Sequence, residues 1–140
     1  MEHLVNTLWK GGLRFESDNP TGNSLLMGVS SEEGGLAQGL SPKALMLSSL
    51  AGCSGVDVIV ILEKMKVALD SFRITVVGEL TDVHPKFYHK VKLTYQFQGK
   101  SLPQEKIKKA VALSAEKYCG VMAMFRKFAE INIEIQYSEK

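Results

Sequence analysis

Cys53 and Cys119 are the only two thiols in the chain. The first stands in Leu50-Ala51-Gly52-Cys53-Ser54-Gly55 and the second in Glu116-Lys117-Tyr118-Cys119-Gly120. A glycine beside each sulfur leaves room for a substrate or for the other thiol. Two readings stay open on the residues alone. Free cysteine is among the most buried residue types, so both are small core hydrophobes on the first. On the second they form a catalytic or regulatory thiol pair. A structural disulfide over this loop would stabilise by about 4 kcal/mol, but a reducing cytoplasm argues against one. Without paired Cys or His spacing, zinc is not indicated. A working thiol must also ionise. At an ordinary pKa near 8.5 only about 3% is thiolate at pH 7, and a lowering of about three units takes roughly 4 kcal/mol.

Other polar residues compete for a role. Asp57 follows Cys53 by one helical turn, on the same face. A carboxylate there would raise the thiol pKa, so Asp57 reads as a structural group, buried and paired. Glu116 reads as a structural pair or cap. His89 falls on an apolar strand face and reads as a satisfied core histidine, against a Cys53–His89 acyl-transfer dyad. His84, before Pro85, reads as solvated. Gly52-Cys53-Ser54-Gly55 matches the G-x-x-G of RNA-binding KH loops, but its flanks are Leu, Ala, Val and Asp rather than basic residues. No nucleic-acid partner is expected, and Lys106, Lys108 and Lys109 read as a solvated helix face.

These residues need elements to carry them. The first third is rich in turn-formers, Gly11-Gly12, Asn19-Pro20-Thr21-Gly22 and Gly34-Gly35, between short apolar runs. That pattern predicts small antiparallel strands, then a loop over Ser30 to Leu40. Ser41-Pro42 opens a central helix running to about Met65, with Gly52 and Gly55 marking where it would bend or break. Two half-buried strands follow. Phe72, Ile74, Val76 and Leu80 share a face of one, and Phe87, His89, Val91, Leu93, Tyr95 and Phe97 a face of the other. Ile107, Ala110, Val111, Ser114 and Tyr118 recur at helical spacing, Cys119-Gly120 interrupts them, and Ile131, Ile133, Ile135 and Tyr137 alternate as a closing strand. The order predicts an α+β fold.

A chain of 140 residues with 45% hydrophobic and 23% charged residues reads as one domain over 1–140. A net charge of +2 demands neither nucleic acid nor an anionic membrane. No secretory pattern opens the sequence, so the expected location is cytoplasmic. Residues Ala44 to Leu62 carry a single charge, Asp57. A carboxylate at mid-bilayer costs about 2.5–3.5 kcal/mol, so this segment reads as the core helix of a soluble fold with no membrane partner. It is apolar around most of its circumference, and one sheet covers only one side. A second copy of the chain is the expected cover, giving a symmetric dimer.

Ser41-Pro42 with Leu45, Leu50-Ala51-Gly52-Cys53-Ser54, and Leu113-Ser114-Ala115-Glu116-Lys117-Tyr118-Cys119 resemble the OsmC/Ohr family, the osmotically inducible and organic hydroperoxide resistance proteins. Trp9-Lys10-Gly11-Gly12, Gly34-Gly35 and the terminal isoleucine strand extend the likeness over nearly the whole chain. The resemblance implies antiparallel sheets packed around a long buried central helix, in an intertwined homodimer. It implies a thiol-dependent peroxidase, with Cys53 in the peroxidatic and Cys119 in the resolving position. An organic hydroperoxide is the substrate it implies, with an external dithiol as reductant and no metal or organic cofactor. The sequence departs from the family branch that pairs its reactive cysteine with an Arg and a Glu. Lys43 stands at the Glu position, and Leu13 stands nearest the Arg position with Arg14 one residue displaced. The chain is thus more similar to the OsmC-like branch. A lipid-like ligand carrier of the same fold is the alternative function.

Overall fold

The computed structural model describes residues 1–139, and the chain forms two compact units that divide between Met46 and Leu47. In the first, β1 (Thr7–Trp9), β2 (Phe15–Asp18) and β3 (Ser24–Met27) make an antiparallel sheet in that order. The Gly11-Gly12 turn closes the first hairpin. There the Trp9 indole N–H donates to the Gly12 carbonyl at 2.8 Å. The expected loop holds a single 3₁₀ turn, Ser31–Glu33, before Leu40 returns to bridge Met27.

Helix α1 spans Pro42–Lys64. Proline begins it as expected, and the Leu45 N–H makes the first helical bond to the Ser41 carbonyl at 2.8 Å. It does not break at either glycine. A Cβ at Gly55 would stand 3.3 Å from Ile74 Cδ1, so this glycine lets the sheet approach closely rather than ending the helix.

The second unit is built on β4 (Ser71–Leu80), β5 (Tyr88–Gln98) and β6 (Glu130–Ser138), in the order β4-β5-β6. Strands β4 and β5 are antiparallel, with Phe72, Ile74 and Val76 opposite Phe97, Tyr95 and Leu93. The rings of Phe72 and Phe97 stack at 4.5 Å. Strand β6 runs parallel to β5, with Ile133 beside Leu93 and Ile135 beside Tyr95, so this sheet is mixed rather than wholly antiparallel. A parallel neighbour requires a long crossover. Here α2 (Gln104–Leu113), one turn of π-helix (Ser114–Tyr118) and α3 (Gly120–Phe125) supply it.

Two facing expectations fail for identifiable reasons. A β-bulge between Glu79 and Leu80 shifts the register, so that Leu80 pairs with Tyr88 and Glu79 with Lys90. The extra residue is His89. Below the bulge Tyr88 turns inward, while Phe87 is exposed and His89 is half-exposed beside Glu79 at 3.6 Å. His89 is therefore not a core histidine. Likewise the π turn rotates Tyr118 out of the helix stripe to solvent, where Lys117 Nζ lies 5.2 Å from its ring.

The core of this unit gathers Leu50, Val58 and Leu62 of α1, Val91, Leu93, Tyr95 and Phe97 of β5, and Ile107, Ala110, Val111, Met122 and Phe125 of the crossover. Helix α1 is buried along one face only. Leu50, Ser54, Val58 and Leu62 are enclosed, whereas Met46, Val56, Ile59 and Val60 are exposed. By length and composition α1 is apolar enough to cross a membrane, yet its enclosed face packs into this core.

Candidate active site

Cys53 lies midway along α1, half-buried, one residue from the enclosed Ser54. An unbroken helix rules out a local N-terminus at Cys53, and helix-dipole stabilisation fades within the first turn. Cys119 arrives from the crossover. The π turn ends with the Cys119 N–H bonded to the Ser114 carbonyl, five residues back, at 2.9 Å. The wider turn leaves Cys119 extended and buried, where it caps α3 by accepting the Met122 N–H on its sulfur at 3.3 Å.

The two thiols, remote in sequence, come together: Cys53 packs against the core cluster that holds Cys119 and is one of the groups that raise the Cys119 thiol. Neither is in a disulfide. Burial pushes the Cys119 thiol up to about 11; the Met122 N–H opposes this, and Cys53 and Asp57 add to it. At neutral pH Cys119 therefore keeps its proton. Cys53 is partly exposed and Cys119 is buried.

A polar chain lies against the pair. The Ser54 hydroxyl is 2.7 Å from Tyr95 Oη and 2.9 Å from Ser114 Oγ. Ser114 Oγ also donates to Asp57 Oδ2 at 3.1 Å. Asp57 is thus paired and half-buried. Burial raises the Tyr95 phenol above its usual value, against a lowering by the Ser54 bond. Charges on Cys119 and Asp57 raise it further and Arg126 lowers it. Sequence reasoning placed Tyr95 and Ser114 on apolar faces without giving them a role. The legible signal was a lone serine in the Ile107, Ala110, Val111 stripe.

The remaining candidates sit apart from this cluster in their bonding. The Arg14 guanidinium donates to the Lys10 carbonyl at 3.0 Å and to Gln38 Oε1 at 3.3 Å, both within the first unit. Lys43 is exposed in the first turn of α1, and Glu116, His84, Lys106, Lys108 and Lys109 are exposed. His89 pairs with Glu79. A cavity of about 460 Å³ opens beside Asp57, between Val60, Lys64 and Tyr118. A second, of about 530 Å³, is lined by Val111, Glu116, Arg126 and Ile135 and by neither thiol.

A family profile described as OsmC-like protein matches residues 34–134. Protein YhfA of Escherichia coli strain K12 is 30% identical over 123 residues, 88% of this chain and 89% of its own length. The crystal structure of a hypothetical protein from Aquifex aeolicus VF5 superposes with a TM-score of 0.87 at 30% identity, covering 100% of this chain and 99% of that one. An organic hydroperoxide resistance protein OsmC from Legionella pneumophila shares the fold, with a TM-score of 0.72 at 18% identity and 97% of each chain covered. The matched span holds both cysteine segments and the helices that bring them together, and the chain belongs to the OsmC-like family.

Proposed function

We propose that the protein is a cytoplasmic, homodimeric thiol peroxidase that reduces organic hydroperoxides, with Cys53 peroxidatic and Cys119 resolving. In this reading residues 1–140 act as one OsmC-like domain. The observation that carries it is the thiol pair itself, a partly exposed Cys53 packed against the cluster that holds a buried Cys119, which keeps its proton. The name of the Legionella protein supports the substrate class.

The chemistry balances. The Cys53 thiolate attacks the outer oxygen of a hydroperoxide, the O–O bond breaks, and the leaving alkoxide takes up the proton that the Cys53 thiol released on ionising, departing as an alcohol. Cys53 is now a sulfenic acid. The Cys119 sulfur attacks it, the S–O bond breaks, and the Cys119 proton leaves with the hydroxyl as water. A disulfide remains, protected from further oxidation. An external dithiol reduces it by exchange and is itself oxidised to a disulfide.

The reduced protein should consume an alkyl hydroperoxide when a dithiol is present. Cys53→Ser should bring turnover to background. Cys119→Ser should let Cys53 accumulate as a trappable sulfenic acid, with no internal disulfide by mass. A parent protein that forms neither species after one equivalent of peroxide would refute the reading. A lipid-like ligand held equally by parent and Cys53→Ser would instead favour the carrier.

A further inference from the structure

Ser54 and Ser114 are fully enclosed hydroxyls in a core that is otherwise almost wholly apolar. Buried hydroxyls are costly unless their hydrogen bonds are made. Ser114 Oγ donates to Asp57 Oδ2 at 3.1 Å, with the Ser54 carbonyl at 3.3 Å. It also lies 2.9 Å from Ser54 Oγ, which in turn is 2.7 Å from Tyr95 Oη. The chain links β5 to α1, to the π turn and back to α1, and successive bonds in such a chain polarise one another.

Ser114 is the joint. Its hydroxyl grips the residue next to Cys53, and its carbonyl accepts the Cys119 N–H at 2.9 Å. We infer that Ser114 is a positioning residue, which through the Tyr95–Ser54–Ser114–Asp57 chain fixes the π turn against α1 and so sets the spacing of the Cys53 and Cys119 sulfurs. Its part in turnover rests on the peroxidase reading. The spacing itself can be measured without peroxide.

The test is the equilibrium between the dithiol and the Cys53–Cys119 disulfide in glutathione buffers. Forming the bond takes two electrons and two protons from the thiols, and one oxidised glutathione accepts them to become two reduced molecules. Alkylation and mass mapping at each buffer ratio give the effective concentration of one thiol at the other. Ser114→Ala should lower it by about tenfold or more, because a misplacement near 1 Å costs up to about 100-fold. Ser54→Ala, which cuts the chain from α1, should act alike. Ser114→Thr keeps the hydroxyl and should stay within about threefold of the parent. Ile107→Val trims the core elsewhere and should weaken the fold without moving this equilibrium. Unchanged equilibria in both alanine variants, or an equal fall in Ile107→Val, would overturn the inference. A Ser114 effect in a parent that consumes no hydroperoxide would sink the peroxidase reading alone. Turnover without a Ser114 effect would do the reverse.

Discussion

Cys119 is held as a thiol at about 11 rather than 9.0, first by burial. Between those values the unfolded chain has lost this proton and the folded chain still holds it. The stability this contributes is complete below pH 9 and drains away as pH rises toward 11. The melting temperature of the parent should therefore fall more steeply over that interval than that of Cys119→Ala, and parallel slopes would contradict it. Tyr95→Phe removes the hydroxyl at one end of the buried chain. A loss of about 0.5–1.5 kcal/mol is expected in denaturant titration. Both tests concern groups whose roles arise from enclosure, which spacing in the chain does not disclose. Cys53 and Cys119 were readable as candidates from their glycine flanks and family resemblance. Their nearness depends on where a crossover lands.

At the scale of elements, period and punctuation were legible where one rule held from end to end. Ser41-Pro42 started α1, and alternation marked β4, β5 and β6. What went unread are the two places where one extra residue shifts a period. The bulge at His89 exchanges inside for outside on β5, and the π turn does so for Tyr118 and Cys119. Neither needs a signature residue, because each is set by pairing or bonding to partners distant in sequence. Gly78 shows the partner's side of the bulge. A Cβ there would stand 2.6 Å from the Tyr88 ring. Gly78→Ala should cost about 1–3 kcal/mol through overpacking. His89→Ala, at a half-exposed position, should change stability by less than about 0.5 kcal/mol. Equal effects at the two positions would contradict this account of the bulge.

At the scale of the whole molecule, α1 presents exposed Met46, Val56, Ile59 and Val60, with Val56 at 65% of its full exposure. Exposed apolar residues grouped as closely as Val56, Ile59 and Val60 mark an interaction surface. The proposed homodimer would cover it. Light scattering at low micromolar concentration should give twice the 15.4 kDa chain mass, and Val56→Glu should shift the protein toward monomer. A parent that stays monomeric would refute this. The π turn, finally, makes the sulfur's address a question of chain arithmetic. Removing Lys117 alone would restore ordinary helical spacing there and disturb the bond from the Cys119 N–H to the Ser114 carbonyl. Mass mapping of such a shortened protein should find the two thiols joined less readily by oxidant.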